Sequence, residues 1–208
     1  MRLGIFGGSF DPVHYGHLLL AETCREQLSL DRVLFVPAGR PPHKPAESLS
    51  PAQDRAAMLE LAIGGNPHFE ICRFELDRDE VSYTVDTLRR LREEYPDAGL
   101  FLLLGTDMFH DLPNWRCAAE IVQLATPVPV RRCGMPPLEV DKLTSILDSA
   151  RLEIVRNLVV TAPQVDFSGT DLRERVRTGR SIRYRTPRAV EEYIYAHGLY
   201  GSARPTTP

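Results

Sequence analysis

Two histidines, His14 and His17, close the segment Gly7-Gly8-Ser9-Phe10-Asp11-Pro12-Val13-His14-Tyr15-Gly16-His17. It lies directly behind the apolar run Leu3-Gly4-Ile5-Phe6 and directly ahead of a helix-like stretch. A strand, a Gly-rich turn and a helix form a phosphate-binding layout. Glycine lets the backbone come close to a ligand because no Cβ intervenes, and the amides of the turn and helix start face the anion. The two imidazoles add donors that can carry charge. The segment predicts a site for a nucleotide whose phosphate chain changes charge during a reaction. It is not Gly-x-Gly-x-x-Gly, and it lacks the Gly-Lys-Ser/Thr ending of a P-loop, whose lysine the histidines replace. A zinc reading of His-x-x-His needs three or four ligands, and Asp11 is the only carboxylate close by. An ordinary tight turn would not need two glycines, Asp-Pro and Gly-His together behind a strand.

Other residues invite the same chemistry. Ser168 or Thr170 can cap a helix start and leave amides pointing outward. Arg173 on the first turn can reach the same anion. A plain capped surface helix bearing Arg173, Arg175 and Arg177 would look alike. Gly105-Thr106-Asp107 is a second Gly turn behind an apolar run, and His43 and Lys44 sit on a Pro-stiffened loop that also reads as simply solvated. A lone tryptophan is more often core than ligand contact. Trp115, however, sits in the polar segment Asp111-Leu112-Pro113-Asn114-Trp115.

The elements that must position these groups alternate. Strands are expected at Leu3–Phe6, Arg32–Val36 and Leu100–Leu104, with another near Val159-Val160. Helices are expected at His17–Leu28, Pro51–Ile63 and Thr84–Tyr95. Pro127, Pro129, Pro136 and Pro137 suggest an irregular stretch, and residues 201–208 a disordered tail behind a single domain, 1–200. Alternation implies right-handed βαβ crossovers and a Rossmann-like, doubly wound, mainly parallel α/β sheet. Helices would cover both faces, with a small C-terminal helical portion. Ligands in such folds sit at the carboxyl ends of the strands. Both Gly7-Gly8 and Gly105-Thr106-Asp107 follow strands, which suits a ligand with two halves.

Composition narrows the classes. At 208 residues and a net charge of −3, nothing global draws nucleic acid, and no basic stripe or aromatic platform is visible. Cys24, Cys72, Cys117 and Cys133 are scattered, against a disulfide scaffold or zinc ribbon and in keeping with a reducing compartment. No signal-peptide pattern opens the chain, and its longest apolar run is too short for a bilayer. The expectation is a cytoplasmic protein without a membrane partner, and a homo-oligomer stays open.

Gly8-Ser9-Phe10-Asp11-Pro12-x-His14-x-Gly16-His17 resembles the signature of the nucleotidyltransferase superfamily with a T/H-x-G-H motif. Within that superfamily the chain resembles the bacterial nicotinate-mononucleotide adenylyltransferases. The likeness runs from residue 1 to about 200. It passes through Pro37-x-x-x-Pro41-Pro42-His43-Lys44, Arg55-x-x-Met58-Leu59 and Ser82-Tyr83-Thr84-x-Asp86-Thr87-Leu88. It continues through Gly105-x-Asp107, Trp115, Ser168-Gly169-Thr170-x-Leu172-Arg173 and Tyr193-Ile194-x-x-His197-x-Leu199-Tyr200.

The resemblance implies transfer of AMP from ATP to nicotinate mononucleotide, with pyrophosphate leaving and Mg²⁺ accompanying ATP, in NAD biosynthesis. It implies that His17 contacts the α-phosphate through the transition state, that His14 also contacts phosphate, and that Lys44 and Arg173 complete the catalytic set. Phe10 would give a backbone amide to the α-phosphate. Gly105 and Asp107 would hold the adenosine, and Ser168, Thr170 and Arg173 the triphosphate. Gly8, Ser9, His43 and Lys44 would lie near the mononucleotide phosphate. Trp115 would stack on the nicotinate ring, and Thr84, also a possible helix cap, would bond its carboxylate. His197 reads as structural. Gly169 stands where the family has a second serine, which predicts a lost hydroxyl contact to ATP. Alternatives are the same chemistry on nicotinamide mononucleotide or phosphopantetheine, or a nucleotide-binding regulatory module without turnover.

Overall fold

The computed structural model describes residues 1–42, 49–132 and 138–201. Six strands, β1 (Arg2–Gly8), β2 (Arg32–Pro37), β3 (Phe69–Ile71), β4 (Gly99–Gly105), β5 (Thr126–Arg132) and β6 (Val160–Ala162), form one sheet in the order β3-β2-β1-β4-β5-β6. All neighbouring pairs are parallel. The helices are α1 (Tyr15–Gln27), α2 (Ala52–Ile63), α3 (Thr84–Glu94), α4 (Thr106–Asp111), α5 (Ala118–Leu124), α6 (Ser149–Asn157), α7 (Gly169–Arg177) and α8 (Arg188–Ala196). The sheet grows outward in both directions from β1 and β4, so the crevice between their carboxyl ends is the topological switch point.

Strand side chains alternate between two cores. Leu3, Ile5, Leu34, Val36, Leu100, Leu102 and Leu104 face one cluster, which Val85, Leu88 and Leu91 of α3 and residues of α4, α5 and α6 complete. Phe6, Val33, Phe35, Phe101, Leu103, Val128 and Val130 face the other, with Ala21, Met58, Leu59, Leu172, Val176, Val190 and Ile194 from α1, α2, α7 and α8. Both faces of the sheet are therefore covered, as its near-continuous apolar strands require. Cys24 lies fully within the second cluster, where burial pushes its thiol up to about 12. It is a packing residue, not a nucleophile.

Some expectations shift. The first helix begins at Tyr15, not His17, because His14 takes the N-cap position with extended backbone (φ −145°, ψ 168°). The stretch with Pro127 and Pro129 is not irregular: both prolines lie within β5, paired in register with Leu102 and Leu104 of β4. The β6 ladder starts only at Val130. Thr126–Pro129 therefore has a partner on one side only, and such an edge tolerates a missing N–H donor. Pro136, Pro137 and Cys133 lie outside the described residues. Among the described residues no helix is long and apolar enough to cross a membrane.

Candidate active site

The turn from Gly8 to His14 is built by donors that seize its carbonyls. The Ala38 amide bonds the Gly8 carbonyl at 2.9 Å, Arg55 Nη1 the Ser9 carbonyl at 3.0 Å, Arg173 Nη1 the Asp11 carbonyl at 2.6 Å, and Thr186 Oγ1 the Val13 carbonyl at 2.7 Å. In a trans peptide the N–H points opposite to the C=O. Holding the Ser9 carbonyl on Arg55 therefore turns the Phe10 amide away from the protein donors. Phe10 itself has φ +47°, an uncommon conformation for a residue with a side chain. It is held there because its ring is 1% exposed, edge-on to Phe6 and His17. Its ring is core.

His14 and His17 stack with ring centroids 3.7 Å apart. The His14 amide donates to His17 Nδ1 at 3.2 Å. An N–H aimed at Nδ1 makes that nitrogen the acceptor, so the neutral ring carries its proton on Nε2. Gly16 leaves room for this stack: a Cβ there would lie 3.0 Å from His14 Nδ1, close enough that the ring would have to shift. Not every amide of the helix start is offered outward, because Tyr15 N–H is bonded to the Arg185 carbonyl at 3.0 Å.

Asp11 is 2% exposed. Its carboxylate accepts the Ser50 amide at 3.1 Å and the Tyr200 hydroxyl at 2.6 Å. It is thus engaged in positioning the backbone, and among the described residues no group of three or more His, Cys, Asp or Glu is placed to hold a metal ion.

Every other candidate that the structure describes also follows the carboxyl end of a strand. Thr84 opens α3 on the segment after β3; Gly105 ends β4, and Asp107 and Trp115 follow it; Ser168, Thr170 and Arg173 follow β6. Tyr83, not Thr84, is the N-cap residue of α3, so the Thr84 side chain is not the cap. Among the described residues a Cβ at Gly7 or Gly105 would meet nothing within 4 Å. Asp107 is exposed on the first turn of α4. Trp115 is half-buried, its indole N–H donated to Asp111 Oδ2 at 3.1 Å. This bond and its packing against the buried cluster hold the ring. His43 and Lys44 lie outside the described residues.

Ser168 caps α7, accepting the Asp171 amide on Oγ at 3.1 Å. The Gly169 and Thr170 amides, on the first turn, lie outside the helical ladder. Arg173 is drawn back onto the Asp11 carbonyl and, at 3.3 Å, onto Thr170 Oγ1. Gly169 is not a simple deletion of a hydroxyl: a Cβ there would lie 2.8 Å from the Asp11 carbonyl oxygen. The bare Cα lets α7 seat directly on the turn that follows β1. Gly169→Ser is accordingly expected to raise the apparent KM for ATP at least about fivefold, the scale of an overpacked contact. Steady-state titration of ATP checks this; a lowered KM would mean that the lost hydroxyl matters more than the close approach.

Arg55 is the residue that sequence reading passed over, quoting it only within a motif. It is 1% exposed and bonds three backbone carbonyls, of Ser9, Gly39 (3.4 Å) and Ser50 (3.0 Å). Burial pulls its pKa down while the nearby Asp11 carboxylate opposes that shift. The signal was present: positions 55, 58, 59 and 62 form one helical stripe, so an arginine stood on the inward face of α2.

Two glycine turns behind strands, a histidine pair and the switch point of a parallel sheet all lie within residues 5–175, which the profile of the "Cytidylyltransferase-like" family matches, and this makes the chain a nucleotidyltransferase of that class. The chain is 47% identical over 209 residues to the "Probable nicotinate-nucleotide adenylyltransferase" of Thermomicrobium roseum, covering 100% of this chain and 95% of that one. It is 47% identical over 200 residues to the Thermus thermophilus protein of the same name, covering 96% and 100%. The chain belongs to the nicotinate-nucleotide adenylyltransferase family. In fold it superposes on the Plasmodium falciparum nicotinic acid mononucleotide adenylyltransferase complexed with NaAD, with a TM-score of 0.73 at 18% identity over 97% of this chain and 98% of that one.

Proposed function

We propose that the protein transfers the adenylyl group of ATP to nicotinate mononucleotide, giving nicotinate adenine dinucleotide and pyrophosphate in NAD biosynthesis. The observation that carries this reading is the His17 Nε2 donor, fixed by the His14 amide at the carboxyl end of β1. The other ligand-facing turns are arrayed along the same sheet edge. A phosphate oxygen of the mononucleotide attacks the α-phosphorus of ATP. The bond from that phosphorus to the α–β bridging oxygen breaks, and pyrophosphate leaves with its electron pair. The nucleophile is already anionic, so no general base is needed. Rate comes from aligning two polyanions and from donors aimed at charge on the α-phosphate.

In this reading His17 donates from Nε2 to an α-phosphate oxygen, His14 stands beside it against phosphate, and the Phe10 amide adds a third donor. The free amides of Gly169 and Thr170, with Ser168 and Arg173, receive the rest of the triphosphate. Arginine has five N–H donors, and among the described residues Arg173 bonds Asp11 and Thr170, so it keeps donors for the anion. Gly105 and Asp107 flank the adenosine, Asp107 accepting from ribose hydroxyls. Gly8, Ser9, His43 and Lys44 serve the mononucleotide phosphate, and Thr84 and Trp115 its ring. Mg²⁺ neutralises phosphate charge when it accompanies ATP. With no three-ligand cluster among the described residues, it fits a metal held mainly by phosphate oxygens and water. A reducing cytoplasmic setting suits this chemistry and the scattered cysteines.

Trp115→Ala tests the ring subsite. Loss of a stacking platform costs about 1–3 kcal/mol, so the apparent KM for nicotinate mononucleotide should rise about 5- to 150-fold, with that for ATP nearly unchanged. Equal rises for both substrates would make Trp115 a core residue and remove the ring subsite from this place.

A further inference from the structure

The guanidinium carbon of Arg116 lies 4.4 Å above the centre of the Tyr83 ring. Tyr83 immediately precedes Thr84, and Arg116 immediately follows Trp115. The contact therefore joins the chain neighbours of the two residues assigned to the nicotinate ring. Both partners line a groove of about 570 Å³ along α3, and so do Arg78, Arg89 and Arg90. Three carboxylates line it too, and each has a cation of its own. Glu80 pairs with Arg78, Asp86 with Arg89 at 3.0 Å, and Glu93 with Arg90 at 3.9 Å. Arg116 is exposed, and among the described residues no carboxylate is paired with it. The groove thus carries one positive charge that none of these acids offsets, next to Trp115. The start of α3 has the same sign. The Asp86 and Thr87 amides bond the Tyr83 carbonyl at 3.0 and 3.4 Å, so the Thr84 and Val85 amides precede the helical ladder, and a helix N-terminus favours anions.

We propose that Arg116 is a specificity-determining residue: its guanidinium, held on the Tyr83 ring, receives the carboxylate of the nicotinate ring and sets the preference for acid over amide. An aromatic face holds a guanidinium without neutralising it, and the planar fork of arginine matches a carboxylate. Nicotinate presents that carboxylate where nicotinamide presents a neutral amide. Only the acid gains a bond in which both partners are charged, so removing the cation weakens one mononucleotide and leaves the other.

This role deepens the proposed function and rests on its ring subsite at Thr84 and Trp115. The test uses Trp115, the sole tryptophan of the chain, as its own reporter. Quenching of its emission by nicotinate mononucleotide and by nicotinamide mononucleotide, in the presence of a non-hydrolysable ATP analogue, is compared in wild type, Arg116→Gln and Arg116→Lys. Retention of fold is checked by melting, and KM values are measured with Mg-ATP. In Arg116→Gln the half-saturating concentration and KM of the nicotinate compound should rise about tenfold, the low end for a bond to a charged group. Those of the nicotinamide compound should stay within about twofold, since it loses no charged partner. Arg116→Lys keeps the charge without the fork and should recover most of the lost preference. Equal shifts for both mononucleotides, no shift for either, or a lysine variant no better than glutamine would overturn the role of Arg116 and leave the proposed reaction standing. A wild type whose Trp115 emission and turnover respond to neither mononucleotide would overturn the proposed function and this role with it.

Discussion

Replacing His17 by alanine is expected to cut turnover about 10²–10³-fold, the usual loss when one preorganised donor to a developing anion is removed. The loss should fall on kcat more than on either KM, because the Nε2 donor meets charge that grows only in the transition state. Stability should move little. The His14 amide loses its acceptor on Nδ1, worth about 1 kcal/mol, which shifts the melting temperature of a chain this size by about 2–4 °C. Single-turnover rates and a melting curve check both halves. Near-normal turnover would remove His17 from the reaction, and an unfolded variant would make the histidine stack a structural device first.

Arg55→Met should be the most destabilising single change on the site side of the sheet. It leaves the carbonyls of Ser9, Gly39 and Ser50 without their donor and Asp11 without its buried cation. Breaking a buried charged arrangement by removing one member costs about 3–5 kcal/mol, or about 6–20 °C in melting temperature at this size. Below the melting transition, turnover should fall as well, because the Ser9 carbonyl no longer fixes the Phe10 amide. Arg55→Lys should recover part of the stability but little of the turnover, since one ammonium does not reproduce the guanidinium fork. Thermal melts and kcat at a temperature where all three proteins are folded decide this. A variant as stable as wild type would mean that water replaces the guanidinium at no cost.

What the sequence disclosed was mostly local. β1, its Gly-rich turn and α1 are legible because strand, glycines and histidines are contiguous, and the Ser168 cap because capping reaches only three residues on. The inward stripe of α3, Val85, Leu88 and Leu91, follows from helical spacing and is buried as expected. β5 was misread because proline argues against a central strand, and only the short reach of β6 shows that its first half is an edge. β3, three residues long, offers too little periodicity to see. The close approach at Gly169 was hidden for another reason: its neighbour in space, the Asp11 carbonyl, is far away in sequence. The same holds for Asp11 itself, whose partners Ser50, Arg173 and Tyr200 come from three other segments, and for Arg55, which shows on the apolar stripe of α2 but gives no hint of which carbonyls it meets. Local propensity carries no information about such long-range hydrogen bonds.

The central claim is the reaction and its acceptor, and the most direct measurement is pyrophosphate release with Mg-ATP and, in parallel, nicotinate mononucleotide, nicotinamide mononucleotide or phosphopantetheine. The expected result is release with the nicotinate compound far above the other two, matched one for one by nicotinate adenine dinucleotide. Release favouring another acceptor would contradict the ring subsite at Thr84 and Trp115 while keeping the chemistry. No release with any acceptor, despite measurable ATP binding, would contradict the reaction itself and make the protein a nucleotide-binding module.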